Sequence, residues 1–171
     1  MGALLLIVAS SAWLFVEWRA AHGTIADSSY EPAIHTPLFS NPRPVMLFDE
    51  AHRNRHALNG SYKPFRKLAT VTGMVVQPLR EAPTARNLHG AAALMVVLAL
   101  GPTDPGDQPA FSSGDVSVIR DFVADGGGLI LVVDHYPFAD AAPKLANAFG
   151  VELSRGMTVD EEHADKTAND G

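Results

Sequence analysis

Phe48-Asp49-Glu50-Ala51-His52 brings two carboxylates and an imidazole to the end of an apolar run, with Asn54 two residues on. Asp134-His135 repeats the arrangement after the apolar run Leu129 to Val133. These residue types can do two kinds of chemistry. Carboxylate oxygens and imidazole nitrogens bind a hard or borderline divalent metal and activate water on it. Alternatively a histidine such as His135 serves as a general base near neutral pH. Both groups stand where strands end, and ligands of open α/β sheets gather outside the carboxyl ends of strands. The sequence therefore predicts one cleft lined by Asp49, Glu50, His52, Asn54, Asp134 and His135. Asp49, His52, Asp134 and His135 are the candidate ligands if a divalent metal is bound; no other cofactor is called for, and no catalytic role is assigned. The competing reading is that Asp49 and Asp134 cap the turns after their strands by accepting loop N–H bonds. In the same vein, His135 would only hydrogen-bond Asp49 or Glu50 across the sheet.

Other chemical-looking patterns carry less. His52 and His56 are four apart, but Arg53, Asn54, Arg55, Asn59 and Gly60 read as loop, which argues against paired ligation. Arg53 and Arg55 are solvated charges or anion contacts. Ser112-Ser113-Gly114 lacks the Gly-x-Ser-x-Gly elbow after a strand, so Ser112 reads as a helix N-cap. Gly126-Gly127-Gly128 follows a helix and precedes a strand, the reverse of a phosphate loop, and supplies positive φ at the helix stop. His163 with Glu161, Glu162 and Asp165 belongs to an acidic tail that reads as solvated.

The elements that position the candidate residues alternate in type. Val45–Phe48, Met74–Val76, Ala91–Leu100 and Leu129–Val133 read as strands, Ala91–Leu100 as one buried on both faces. Ser61–Thr72, with Ser61 as N-cap and Gly73 as stop, reads as a helix. Ser112–Ala124 is the clearest helix, with Ser112 and Asp115 as a capping box and Val116, Ile119, Phe122 and Val123 as its apolar stripe. Ala139–Phe149 is a shorter helix with Gly150 as stop, and Val151–Leu153 a last strand. Such alternation predicts βαβ crossovers and a mainly parallel sheet covered on both faces, an α/β three-layer sandwich.

The chain has 171 residues, no cysteine, and a net charge of −6. Its length suits one domain with a real core. The acidic balance, without a basic stripe, argues against nucleic acid as a partner. Absence of cysteine removes disulfides, thiolate metal sites and cysteine nucleophiles together. Residues 43–86 hold eight Lys or Arg against three Asp or Glu, whereas residues 104–171 hold four against thirteen. That asymmetry reads as solvated faces, or as a field that steers an anionic ligand to the basic side.

Residues 1–19 read as a transmembrane anchor or a signal-like helix, since Gly2 to Trp18 carries Glu17 as its one charge and is at the short end of a bilayer span. Residues 20–44 form a Pro-rich linker, residues 45–160 the α/β domain, and residues 161–171 an acidic tail; the loss of pattern after Ser154 reads as truncation. This organisation makes the membrane a partner through residues 2–18 and admits a membrane-protein complex; the expectation leans to an extracytoplasmic domain, but Arg19 alone follows the segment and leaves the side open.

The stretch Phe48–His52, the helix from Phe111-Ser112 to Ala124 and the run Gly126–His135 together resemble the class I glutamine-amidotransferase-like superfamily. More narrowly, they resemble a membrane-anchored branch whose domain has no assigned function. The resemblance spans about residues 44–159 and implies a flavodoxin-like sheet. In active glutaminases of this superfamily a tight elbow after a strand presents a cysteine; here Leu129–Val133 looks like that strand, and Asp134-His135-Tyr136 stands at the elbow. A carboxylate and an imidazole cannot replace a thiolate that forms a thioester. The expectation is thus a ligand-binding or accessory module that is not a glutaminase. The alternatives are a metal- or acid–base-dependent hydrolase and a structural scaffold of a membrane complex.

Overall fold

A computed structural model of the chain describes residues 26–34, 36–103, 108–156, 160 and 162. The anchor or signal segment, the start of the linker, and the cluster of Glu161, His163 and Asp165 lie outside the described residues. Among the described residues no helix is long and apolar enough to cross a membrane.

Four five-residue strands form one parallel sheet: β1 (Val45–Asp49), β2 (Val75–Leu79), β3 (Ala93–Val97) and β4 (Gly128–Val132), in the order β2-β1-β3-β4. Met46 lies level with Val76 on one side and Ala93 on the other, and Met95 with Ile130. Helices connect them: α1 (Lys63–Val71), α2 (Ala85–Leu88) and α3 (Ser113–Ala124), with α4 (Phe138–Ala141) and α5 (Pro143–Asn147) after β4. Side chains alternate across a strand, and two cores result. Met46, Phe48, Val76, Met95 and Val97 meet Ala69 of α1 and Leu58 of the loop before it on one face. Leu47, Leu79, Leu94 and Val96 meet Leu88 of α2, Ile119 of α3 and Leu145 of α5 on the other. The chain steps one way from β1 to β2 over α1, and the opposite way from β2 to β3 to β4 over α2 and α3. Opposite steps with helices on opposite faces are what a single crossover handedness requires.

Several elements depart from expectation for local reasons. The first helix starts at Lys63 with Tyr62 at the cap and no side-chain capping bond. Ser61 instead places its hydroxyl 2.6 Å from His56 Nδ1. Gly73 does end the segment: its φ is +98°, and a Cβ there would sit 1.9 Å from the Phe39 carbonyl oxygen. The third strand is shorter than its apolar run, because Leu98 turns to a φ of +43°. One helical turn, α2, was not foreseen; Thr84 and Asn87 cap each other at its start. The helix expected over Ala139–Phe149 is split at Ala142-Pro143, since proline offers no N–H and disfavours a helical residue before it. Val151–Leu153 is not paired as a strand. By contrast α3 has both bonds of its capping box, Asp115 N to Ser112 Oγ and Ser112 N to Asp115 Oδ2.

Candidate functional site

Asp49 closes β1, with its side chain on the α3 face of the sheet and 1% of its surface exposed. A bare carboxylate at such a site is costly to bury. The loop that follows supplies the donors. His52 Nδ1 lies 2.9 and 3.0 Å from the two carboxylate oxygens, Asn54 Nδ2 donates to Oδ2 at 2.9 Å, and the Ala51 N–H reaches Oδ1 at 3.3 Å. Asn54 also donates to the Val97 carbonyl at 3.1 Å, which ties the β1 loop to the end of β3.

The stitching continues along both loops. Arg55 N–H donates to Leu98 O, Leu100 N–H to His52 O, and Arg53 Nη1 to Gly101 O. Arg53 and Leu98 are the non-glycine residues with positive φ among those described, at +51° and +43°. Both lie within the two loops that this seam joins. The imidazole of His52 is packed against the Phe111 ring, centroids 4.2 Å apart and planes tilted by 38°. Two carboxylate oxygens at Nδ1 require the hydrogen there, and Nε2 is the ring nitrogen that Asp49 does not engage.

Glu50 points elsewhere. Its Oε1 accepts the Leu58 N–H at 2.9 Å and its Oε2 lies 3.3 Å from Arg80 Nε, so it braces the loop toward β2. Asp134 and His135 form a separate pair. The Asp134 carboxylate accepts from the His135 N–H at 2.7 Å and lies 2.9 Å from its Nδ1, with the two side chains 58% and 47% exposed. Those two bonds hold the Asp134 carboxyl below its ordinary value. The pair borders a cavity of about 480 Å³ shared with Ala139, Glu152 and Ser154, and no β1 residue lines it.

The six sequence-picked residues thus fall into three places rather than one hollow. β3 lies between β1 and β4, which sets the two strand tips roughly 10 Å apart at the usual strand spacing. His135 pairs with Asp134, not with Asp49 or Glu50. Among the described residues no three His, Asp or Glu side chains converge as a metal-holding group. His56 is likewise apart from His52, beside Ser61 and the Tyr62 ring. Burial, and then the Arg55 charge, push its imidazole below the ordinary value.

Two contributors escaped the sequence reading. Phe111, 1% exposed, precedes the N-cap Ser112, the position from which an apolar residue staples a helix start; that signal was available. Leu98 gave none, because nothing about a leucine announces positive φ. It follows β3, and none of Asp134, His135 and Tyr136 after β4 has a positive φ.

No protein-family model matches the chain, and no curated protein matches it. One similar solved structure is the mmIFT52 N-terminal domain, at 18% identity with a TM-score of 0.42. The match covers 51% of this chain and 34% of that one. The likeness reaches about a third of that protein and carries no argument for family or activity.

Proposed function

We propose that this chain is a ligand-binding or accessory module of flavodoxin-like, glutamine-amidotransferase-like build that works at a membrane and hydrolyses no glutamine. One observation carries the reading: the Asp49 carboxylate is taken up in fixing His52 and Asn54, and from this we infer that Nε2 of the His52 ring, whose side chain is 8% exposed, is the pre-oriented contact for a small polar ligand. Pre-orientation of this kind lowers the entropy lost on binding. The strand order β2-β1-β3-β4 is the flavodoxin-like order without its fifth strand, and the chain has no cysteine. The membrane part rests on the apolar stretch 2–18.

The hydrolase alternative has one observation in its favour, since a carboxylate-held imidazole is also how general bases are arranged. It lacks a second group. Among the described residues the His52 ring is bonded to Asp49 alone, while the His52 backbone N–H donates to Asn54 Oδ1.

The deciding experiment follows the His52 ring nitrogens by NMR while a library of small polar fragments, and separately zinc chloride, is added to the purified chain. Ester hydrolysis is assayed in parallel. The proposal expects fragments that shift Nε2, lose their effect in His52→Ala, and no hydrolysis above that of His52→Ala. Stoichiometric zinc at His52 with turnover that vanishes in Asp49→Asn would instead establish the hydrolase. Fragments that never reach His52 would contradict the ligand role.

A further inference from the structure

Among the described residues the sheet is open at β4. Gly128 N–H donates to Ala92 O at 2.9 Å, and Val132 O accepts from Leu98 N–H at 3.0 Å. Even-numbered residues of β4 therefore face β3. By alternation the N–H and C=O groups of Leu129, Leu131 and Val133 face outward, and no described residue pairs with them. Natural edge strands are guarded by charge, proline or short length; Gly128 to Val133 contains no charge and no proline, and Ile130 is 41% exposed. The edge has the sequence of an interior strand.

The chain after α5 runs beside that edge. Gly150, with φ at +76°, ends the helix, and Val151 N–H returns to Ala146 O, a left-handed stop that turns the chain back. Phe149, Val151 and Leu153 share an apolar groove of about 450 Å³ with Leu129, Leu131 and Val133. Further on, Leu153, Ser154 and Gly156 share the adjoining cavity with Val133, Asp134 and His135. The segment thus advances in the direction of β4. Its far end is pinned: Arg155 Nε donates to Asp140 Oδ1 at 2.8 Å, Nη2 to Oδ2, and the guanidinium lies 5.6 Å from the Tyr136 ring centre.

We infer that Val151–Ser154 is the strap that closes onto β4 as a fifth parallel strand, with Val151 level with Leu131 and Leu153 with Val133. In that register Leu131 and Val133 N–H donate to the Gly150 and Glu152 carbonyls, while Glu152 and Ser154 N–H donate to those of Leu131 and Val133. Val151 and Leu153 fall on the same face as Leu129, Leu131 and Val133, filling the groove. The step from β4 over α5 continues in the direction of β3 to β4, with its helix on the same face, as one handedness demands. A second copy pairing at this edge would first have to expel residues already tethered there at high effective concentration. Closure sets Ser154 beside Asp134 and completes the cavity wall at the carboxyl edge. The inference stands independently of the proposed function.

The test is residue-resolved amide hydrogen exchange by NMR at two protein concentrations tenfold apart. Leu131 and Val133 amides are expected to exchange at least about a hundredfold more slowly than an unstructured chain, equally at both concentrations. Glu152→Pro deletes the donor to Leu131 and should remove about tenfold or more of that protection, leaving Leu94 and Val96 in β3 unchanged. If that variant fails to fold, Ser154→Pro, which deletes the donor to Val133, is read with the same expectation. Unprotected Leu131 and Val133 amides, protection that rises with concentration, or protection that survives the proline would each overturn the inference.

Discussion

The Asp49 side chain sits almost out of contact with water because three donors converge on it, and this makes it the residue on which the site depends. Asp49→Ala would leave the His52 and Asn54 donors without their acceptor in a buried place. It should cost about 3 kcal/mol in urea unfolding, the magnitude typical of breaking a buried, hydrogen-bonded charge from one side. A loss under about 1 kcal/mol would show that the network is not closed in solution. His56 makes a pH prediction. Its imidazole is pushed below 6.5, first by burial and then by Arg55. The unfolded chain therefore binds more protons than the folded one around that value, and stability rises with pH. The contribution is fully present above about 6.5 and is lost as pH falls through the folded value, so His56→Gln should flatten the stability profile below about pH 6.5 in urea unfolding. The spacing of Asp49 and His52 made their partnership legible at this scale. The diversion of Glu50 to Leu58 and Arg80 was not, since it depends on where β2 ends.

Among the elements, β3 and the seam beside it yield the sharpest expectation. Leu98 sits at a φ of +43°, a conformation that costs a non-glycine residue about 1–2 kcal/mol. Leu98→Gly relieves that cost and Leu98→Ala does not, although both lose the side chain beyond Cβ and glycine loses one carbon more. The glycine variant should be the more stable of the two in thermal unfolding, the reverse of their usual order in a strand. At the start of α3, Ser112→Ala removes the acceptor for Asp115 N–H and should lower stability by about 1 kcal/mol. That cap and the stripe through Ile119 were readable, because capping and helical period are local. The Ala142-Pro143 break was readable in principle from the proline. The true start of α1 was not, since Ser61 is claimed by His56 rather than by the helix.

For the molecule as a whole, alternating apolar runs and helices announced a parallel α/β sheet, and that is the architecture found. Strand order was not announced. It depends on which β edge each crossover reaches, a long-range choice that residue patterns do not encode. That choice inserts β3 between β1 and β4, which separates two motifs that look equivalent in the sequence. The Asp49 network is buried and the Asp134 pair is exposed for the same reason: β1 is interior and β4 is an edge. Asp134 stands below 3.8 because of its bonds to His135. Its contribution is therefore present above that value and lost as pH falls through the lower folded one, and Asp134→Asn should affect acid stability without disturbing the β1 site.

The claim on which this account depends is that Asp49 dictates which His52 nitrogen carries the hydrogen. A nitrogen-15 NMR spectrum of the imidazole rings, recorded where His52 is neutral, reads this directly. The wild-type chain should show the Nδ1–H tautomer, and Asp49→Ala a mixture of tautomers. A wild-type spectrum with Nε2–H, or with both forms in comparable amounts, would contradict it.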